Sequence, residues 1–553
     1  MISLSRTLHL GTMLLSLSPI MSAEPDYSSA FDLLATAVRQ EMRQYRIGGI
    51  SIALTDGQRM IYSMGYGEAK YDSVFRAGSI SKLFNAVAAV QLVEAGKLNL
   101  DAPFATLPGA IMPENRFTKA PEITLRQLLC HRSGIQREAP LGGYFDVTQP
   151  SLAATCESVR GCQVVTPPNA KTRYSNVAPS LAGQVIATVS GQSFEAYQQE
   201  HLLSPMGMTN SAWRLRDVPP GKLIVSHLRV ADGKGSFTRE SAPVFDLGTL
   251  PAGNLYSTAP DLAQFIMMLD AKGKGAHGRI LKSDSLGEMT TPQLDPSGGF
   301  GLGFALGKLG QHQTIGHSGA VYGHSTALLY LPKSRLGAVV LANEDIANAR
   351  VSKIANLALS LMLEIKTGER RPPSPPVHSL PAHPLEDYAG QWESQSFWAE
   401  FSVTNGRLTG NYASQPCALT PTSADTFLLN SRIHDDVPVA FARDDSGLVS
   451  EFTIGIQSFH RIAAKPTEFP KDWRRLLGNY GPRCIPLVIH EKWGHLYATT
   501  ENMVDYRLTT ASQNTFHFPP GMYDDEQVVF LPDQAGIIQS IRFATMILRR
   551  QVP

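Results

Sequence analysis

The sequence predicts an α/β (α+β) domain with an antiparallel sheet and a helical subdomain, followed by two small antiparallel β-barrels. Three observations carry this. Strand patterns stand at both ends of residues 28–365, with helical patterns between them. A Pro-rich stretch, Thr367 to Pro384, then breaks the chain. Beyond it, one series of short alternating segments and turns occurs twice, about 89 residues apart.

The elements follow in order. Arg6, an apolar run from Leu8 to Leu17, Pro19 and Met21-Ser22-Ala23 resemble a secretory signal peptide over residues 1–23. The expected location is therefore exported, periplasmic or extracellular. Phe31, Leu34, Ala35, Val38 and Met42 mark a helix that Gly48-Gly49 ends. Ile50 to Leu54 and Met60 to Tyr66 read as a hairpin turned at Asp56-Gly57. A buried helix starts near Ser79 and stops at Gly96. Helical patterns recur near 178–202, 260–271 and 350–364, and Ala327 to Tyr330 and Gly337 to Asn343 read as two further strands. The first domain is thus expected over 24–366, with a linker over 367–384. In the repeat, Leu419 echoes Leu508 and Gly447-Leu448 echoes Gly536-Ile537. The two copies define barrels at 385–464 and 471–553, with turns at the spacing a small barrel needs.

Composition excludes several classes. The 553 residues carry 49 Lys and Arg against 48 Asp and Glu, so no basic surplus exists for nucleic acid. No stretch after the N-terminal segment reaches 18 unbroken apolar residues, and no transmembrane segment is expected in the mature protein. Five cysteines show no zinc-site spacing. Export permits disulfides, and Cys156 with Cys162 is the expected pair. Cys130 is expected to stay free.

The chemistry concentrates in Ser79-Ile80-Ser81-Lys82. A Ser and a Lys three apart on a helix share one face, and a desolvated amine can take the proton from an alcohol. Alone the pattern is weak, since a chain this long holds roughly two such matches by chance. Two motifs follow it. In Tyr174-Ser175-Asn176 the phenol can relay protons if nearby cations such as Lys82 lower its pKa, and the amide can hold Lys82 and a substrate carbonyl. In His317-Ser318-Gly319-Ala320 the glycine permits close backbone approach, and the Ala320 N–H can join that of Ser79 in an oxyanion hole.

S-x-x-K, Y-x-N and [KH]-x-G in this order resemble the serine β-lactamase and penicillin-binding-protein superfamily. The pattern is most similar to class C β-lactamase-like hydrolases, D-aminopeptidases and related esterases. Phe75-Arg76-Ala77-Gly78, the stretch Ile123 to Gly134, Ala252-Gly253-Asn254-Leu255-Tyr256 and Gly301-Leu302-Gly303-Phe304 agree with it. The resemblance covers residues 28–365. It implies an acyl-enzyme on Ser79, with Lys82 and Tyr174 managing the proton and no metal or cofactor. Asn176, His317, Ser318, Gly319 and Ala320 bind substrate or its oxyanion. His317 stands where many relatives carry Lys. A His is largely neutral at pH 7, which favours substrates attacked from the amino end over those presenting a carboxylate. The D-aminopeptidases also carry two C-terminal barrels, and a loop from the last one bounds their pocket.

The expected partner is a small peptide, amide, ester or cell-wall-derived substrate. The competing readings are a D-Ala-D-Ala carboxypeptidase, penicillin-binding protein or β-lactamase, and a non-catalytic peptide- or glycan-binding sensor.

Overall fold

The computed structural model describes residues 24–231, 237–294, 298–371, 383–462 and 467–551. The expected signal segment (1–23) lies outside the described residues, as does the expected linker (367–384) except at its ends.

The first helix, α1 (Ser28–Tyr45), ends at Arg46 in the left-handed region, φ 52°, where the Arg46 N–H caps the Met42 carbonyl. Gly48-Gly49 therefore does not end the helix, and Gly49 opens the next strand. A Cβ on Gly49 would come within 2.8 Å of the Ala69 amide nitrogen. The strands are β1 (Gly49–Asp56), β2 (Arg59–Gly67), β3 (Gly299–Phe300), β4 (Ala305–Leu309), β5 (His312–Val321), β6 (His324–Leu331) and β7 (Leu336–Ala342). They form one antiparallel sheet in the order β2-β1-β7-β6-β5-β4-β3.

Both faces of this sheet are covered, and the period-two alternation of β7 shows how. Ala338, Val340 and Ala342 pack with α1 and α5 (Asn348–Thr367), against Leu34, Val38, Val351 and Ile354. Val339 and Leu341 belong to the opposite core, with α2 (Ser81–Glu94), α3 (Val177–Ser190) and α4 (Ala259–Asp270). Most of α2 is buried, Lys82 included. Each large apolar side chain buried there contributes about 1.5–3 kcal/mol.

The first C-terminal unit is a closed barrel of eight antiparallel strands from Gly390 to Arg461, sealed where Trp392 pairs with Arg461. Phe452 and Phe459 stack at 4.4 Å in its core. The second unit departs from the expected closed barrel. It forms a four-stranded sheet (Gly478–Tyr480 to Asp505–Arg507) and a five-stranded sheet (Thr509–Ser512 to Met546–Arg549). The chain changes sheets at Leu508, whose N–H donates to Leu496 O. A single bridge, Tyr480 to Arg550, joins the far edges.

One apolar cluster runs through both units and into the first domain at Phe145, Leu228, Val321 and Tyr322. Buried Asp505 fastens the units together: it accepts from Trp398 Nε1 at 2.8 Å and from Ser414 on one side, and from Thr499 Oγ1 at 2.6 Å on the other. Arg432 of the barrel reaches the first-domain carbonyls of Tyr45, Asp345 and Ile346.

The expected Cys156–Cys162 disulfide is not present; both are free thiols, as are Cys130, Cys417 and Cys484. Cys156 faces inward from a short helix, and its thiol donates to Ser180 O of α3 at 3.4 Å. Cys162 lies past the end of that helix, its thiol turned to Ser158 O. The six-residue spacing does not bring the two sulfurs together.

Candidate active site

Ser79 sits in a single 3₁₀ turn (Gly78–Ile80) that leads into α2. Gly78 has φ +57°, and a Cβ there would come within 2.8 Å of the Ala320 nitrogen. That close approach sets the start of the helix against β5, so the amides of residues 79 and 320 flank one space. Gly319 is required for the same reason: a Cβ on it would lie 2.1 Å from Ala77 O. Gly319→Ala is therefore expected to push β5 off the turn. The hydrolysis rate should fall by about 10² as an oxyanion donor moves, with little change in circular dichroism; a steady-state assay on the variant checks this.

Lys82 is 2% exposed. Its Nζ lies 2.9 Å from Ser79 Oγ, 2.8 Å from Asn176 Oδ1 and 2.8 Å from Ala252 O. Burial, and then the charge of Arg137, hold the amine well below its ordinary pKa. In the neutral form that burial favours, the amine has two N–H donors and one lone pair. The two carbonyl oxygens take the donors, which leaves the lone pair for the Ser79 hydroxyl.

Tyr174 behaves differently from the sequence expectation. Burial pushes its phenol up to about 12, against the opposing effects of a Ser79 hydrogen bond and Arg137. The ring lies 4.8 Å from Lys82 Nζ and 4.3 Å from the His131 imidazole, tilted 30° to it. Desolvation of a phenolate outweighs both opposing effects, so the phenol keeps its proton.

His317 is neutral. Burial, then Lys82, push its imidazole down to about 4. Nδ1 lies 2.5 Å from Ser318 O and must donate to it, which assigns the tautomer and makes Nε2 an acceptor. Nε2 is buried with no hydrogen-bond partner among the described residues, and His317 lines the cavity. Ser318 and Ala320 are the exposed positions of this stretch of β5. Among the described residues, no three His, Cys, Asp or Glu side chains converge as a metal ion would require. No helix among them is long and apolar enough to cross a membrane.

A family model described as Beta-lactamase matches residues 34–361, more than half of the chain. The chain belongs to the beta-lactamase family. A second model, Domain of unknown function (DUF3471), matches residues 374–466, over the first barrel. Penicillin-binding protein 4 of Amycolatopsis lactamdurans is 27% identical over 338 residues, 59% of this chain and 85% of that protein. The chain spans only 50–62% of the length of several other curated relatives. The octameric penicillin-binding protein homologue from Pyrococcus abyssi shares the fold with a TM-score of 0.55 and 22% identity, covering 78% of this chain and 99% of that one. The D-amino acid amidase from Ochrobactrum anthropi SV3 shares it with a TM-score of 0.50 and 22% identity, covering 61% and 100%.

In this beta-lactamase-family chain, Ser79, Tyr174, Asn176 and His317 to Ala320 all line one cavity of about 360 Å³. Its outer wall comes from the appended units: Ile433 from the first barrel, and Glu501, Asn502 and Met522 from the last unit. Sequence reasoning missed Arg137, Glu138, His131 and Glu501. Glu138 accepts from Asn176 Nδ2 at 2.6 Å, and Arg137 Nε lies 3.5 Å from Glu501. His131 Nδ1 accepts the Ser175 N–H. The stretch Ile123 to Gly134 ends four residues before Glu138, but no period or spacing ties Glu138 to Asn176, 38 residues on.

Proposed function

We propose that the protein is a serine hydrolase that cleaves small peptides, amides or esters through an acyl-enzyme, taking substrates by their amino end. The observation that carries this is the buried Lys82 amine, with two of its three contacts on carbonyl oxygens and the third on Ser79 Oγ.

Ser79 Oγ attacks the carbonyl carbon while its proton passes to Lys82. The Ser79 and Ala320 amides receive the oxyanion. The proton then travels by way of the neutral Tyr174 hydroxyl to the leaving amine or alcohol as its bond breaks. Water repeats the sequence on the acyl-enzyme and releases the acid. Lys82 is the base in this scheme because Tyr174 holds its proton.

The substrate end follows from charge. The cavity is lined by Glu138, Glu501 and Asp345 against a single Arg137, and His317 presents a lone pair rather than a cation. These acids and the imidazole lone pair offer acceptors to a substrate ammonium, whereas a carboxylate would find Arg137 alone among them. Preference for D-amino acid residues is the finer part of the proposal. The D-amino acid amidase and penicillin-binding relatives bring it into view.

A hydrolysis panel tests the reading. It comprises D-Ala and L-Ala p-nitroanilides, short acyl p-nitrophenyl esters, a peptide ending in D-Ala-D-Ala, and nitrocefin. The anilides and esters are expected to be cleaved fastest; a nitrocefin rate far above all others would overturn the substrate assignment. His317→Lys is expected to shift the ratio of kcat/KM values toward carboxylate-bearing substrates on the order of tenfold, the worth of one charge-assisted hydrogen bond. An unmoved ratio would show that His317 does not read charge.

A further inference from the structure

We propose that Glu138 is a positioning residue for acyl transfer: its carboxylate takes up the Asn176 amide N–H, so that Asn176 Oδ1 is left facing Lys82. The inference rests on the acyl-transfer reading above.

A side-chain amide has two faces of similar shape, one donor and one acceptor. If Asn176 turned over, its NH₂ would meet Lys82, and the amine would have to spend its lone pair on Asn176 instead of Ser79. Glu138 prevents this. It is fully buried, with one oxygen 2.6 Å from Asn176 Nδ2 and the other accepting the Tyr144 N–H at 3.2 Å. Both of its neighbours are donors, so only a carboxylate satisfies both. A neutral acid or an amide would turn a donor against one of them.

The segment that carries Glu138 is itself held on two sides. Toward the catalytic domain, Gln136 O accepts the Ser175 hydroxyl at 2.7 Å and Arg137 O accepts the Asn176 N–H at 2.8 Å. Toward the last C-terminal unit, the Arg137 N–H donates to Glu526 at 3.3 Å, and Glu138 O accepts the Thr545 hydroxyl at 3.0 Å. Residues 136–138 thus form a strip between the appended unit and Tyr174-Ser175-Asn176. Through Glu138, the seating of that unit bears on the orientation of the Asn176 amide. The charged and titratable groups facing Glu138 are Arg137, Lys82, Tyr174 and Tyr322 of the catalytic domain, and Glu501 and Tyr523 of the last unit. Burial, reinforced by Glu501 and opposed by Arg137, raises Glu138 to about 7. Protonation in the neutral range therefore removes one of its two acceptors.

The test uses the full chain and an alkyl fluorophosphonate. Ser79 Oγ forms a bond to phosphorus, the P–F bond breaks, fluoride leaves and the serine proton passes to the base. Intact-mass spectrometry gives the labelling rate across pH without knowledge of the substrate. Glu138→Gln is expected to label Ser79 at least about tenfold more slowly at pH 7.5 and to lose the acid limb near pH 7. Glu501→Gln, a milder change that leaves Glu138 in place, removes a like charge. It is expected to keep the limb but move it to lower pH. Glu138→Gln labelling within twofold of wild type, on an unchanged pH profile, would overturn the inference. Should Glu138→Gln fail to fold, an unmoved limb in Glu501→Gln would overturn it instead. A wild-type protein that does not label at Ser79 removes the acyl-transfer reading and this inference together. Labelling of the wild type with an indifferent Glu138→Gln removes the inference alone.

Discussion

Ser79→Ala is expected to lower kcat by about 10⁴-fold or more on every substrate the protein cleaves, while its thermal midpoint stays within a few degrees of wild type. The size follows from what the side chain does. Among the described residues no other hydroxyl is bonded to Lys82, whose remaining contacts are carbonyl oxygens. The oxyanion amides survive the substitution, so a residual rate above that of water should persist. The thermal prediction follows from the small volume lost and from an amine that keeps both of its carbonyl acceptors. Lys82→Ala is expected to be nearly as inactive but less stable, because it leaves Asn176 Oδ1 and Ala252 O without their donor in a buried place. Steady-state rates with calorimetry on both variants separate the two effects. Retained activity in Ser79→Ala would sink the mechanism.

The parts of this site legible in the sequence are those whose chemistry is local. Ser79 with Lys82 is one helical turn, Tyr174 with Asn176 is a tripeptide, and His317 to Ala320 is a run along a strand. Their order carried the resemblance to the beta-lactamase family. Four strands of the sheet, β1, β2, β6 and β7, were legible as well, as short apolar runs bounded by turns; β3, β4 and β5 were not read as strands. What the sequence hid depends on tertiary convergence. Glu138 meets Asn176 across 38 residues and Arg137 meets Glu501 across 364, and no period links either pair. Tyr174 was read as an activated phenol beside a cation. Burial reverses that, and burial is a property of the packed cavity. The 89-residue repeat pointed to short antiparallel strands in both appended units. Whether a ladder closes depends on a few pairings, and a bend at Leu508 divides the second one.

Arg173 shows how the last unit is bound to this chemistry, and its replacement carries the largest expected effect on stability. It precedes Tyr174 and is 4% exposed. It donates to Asp524 O at 2.6 Å, to the Asp524 carboxylate at 3.0 Å and to Glu526 at 2.5 Å, all on one loop of the last unit. Glu526 is equally buried, so the pair lies away from solvent screening. Breaking such a pair from one side leaves an uncompensated charge, at about 3–5 kcal/mol. Arg173→Met should therefore destabilise the protein by about that amount in chemical denaturation, and Glu526→Gln by somewhat less because an amide can still accept. Replacing both, as Arg173→Met with Glu526→Leu, should recover most of the loss, since an apolar pair of similar volume restores the packing without charge. The kinetic consequence separates clamping from mere stability. The same loop carries Met522 into the cavity wall, and Glu526 braces the Arg137 amide. The double variant is thus expected to be stable yet slow, with kcat depressed because residues 136–138 have lost one of their two supports. If it regained stability and full activity together, the last unit would serve as a wall of the pocket without ordering the residues that hold Lys82.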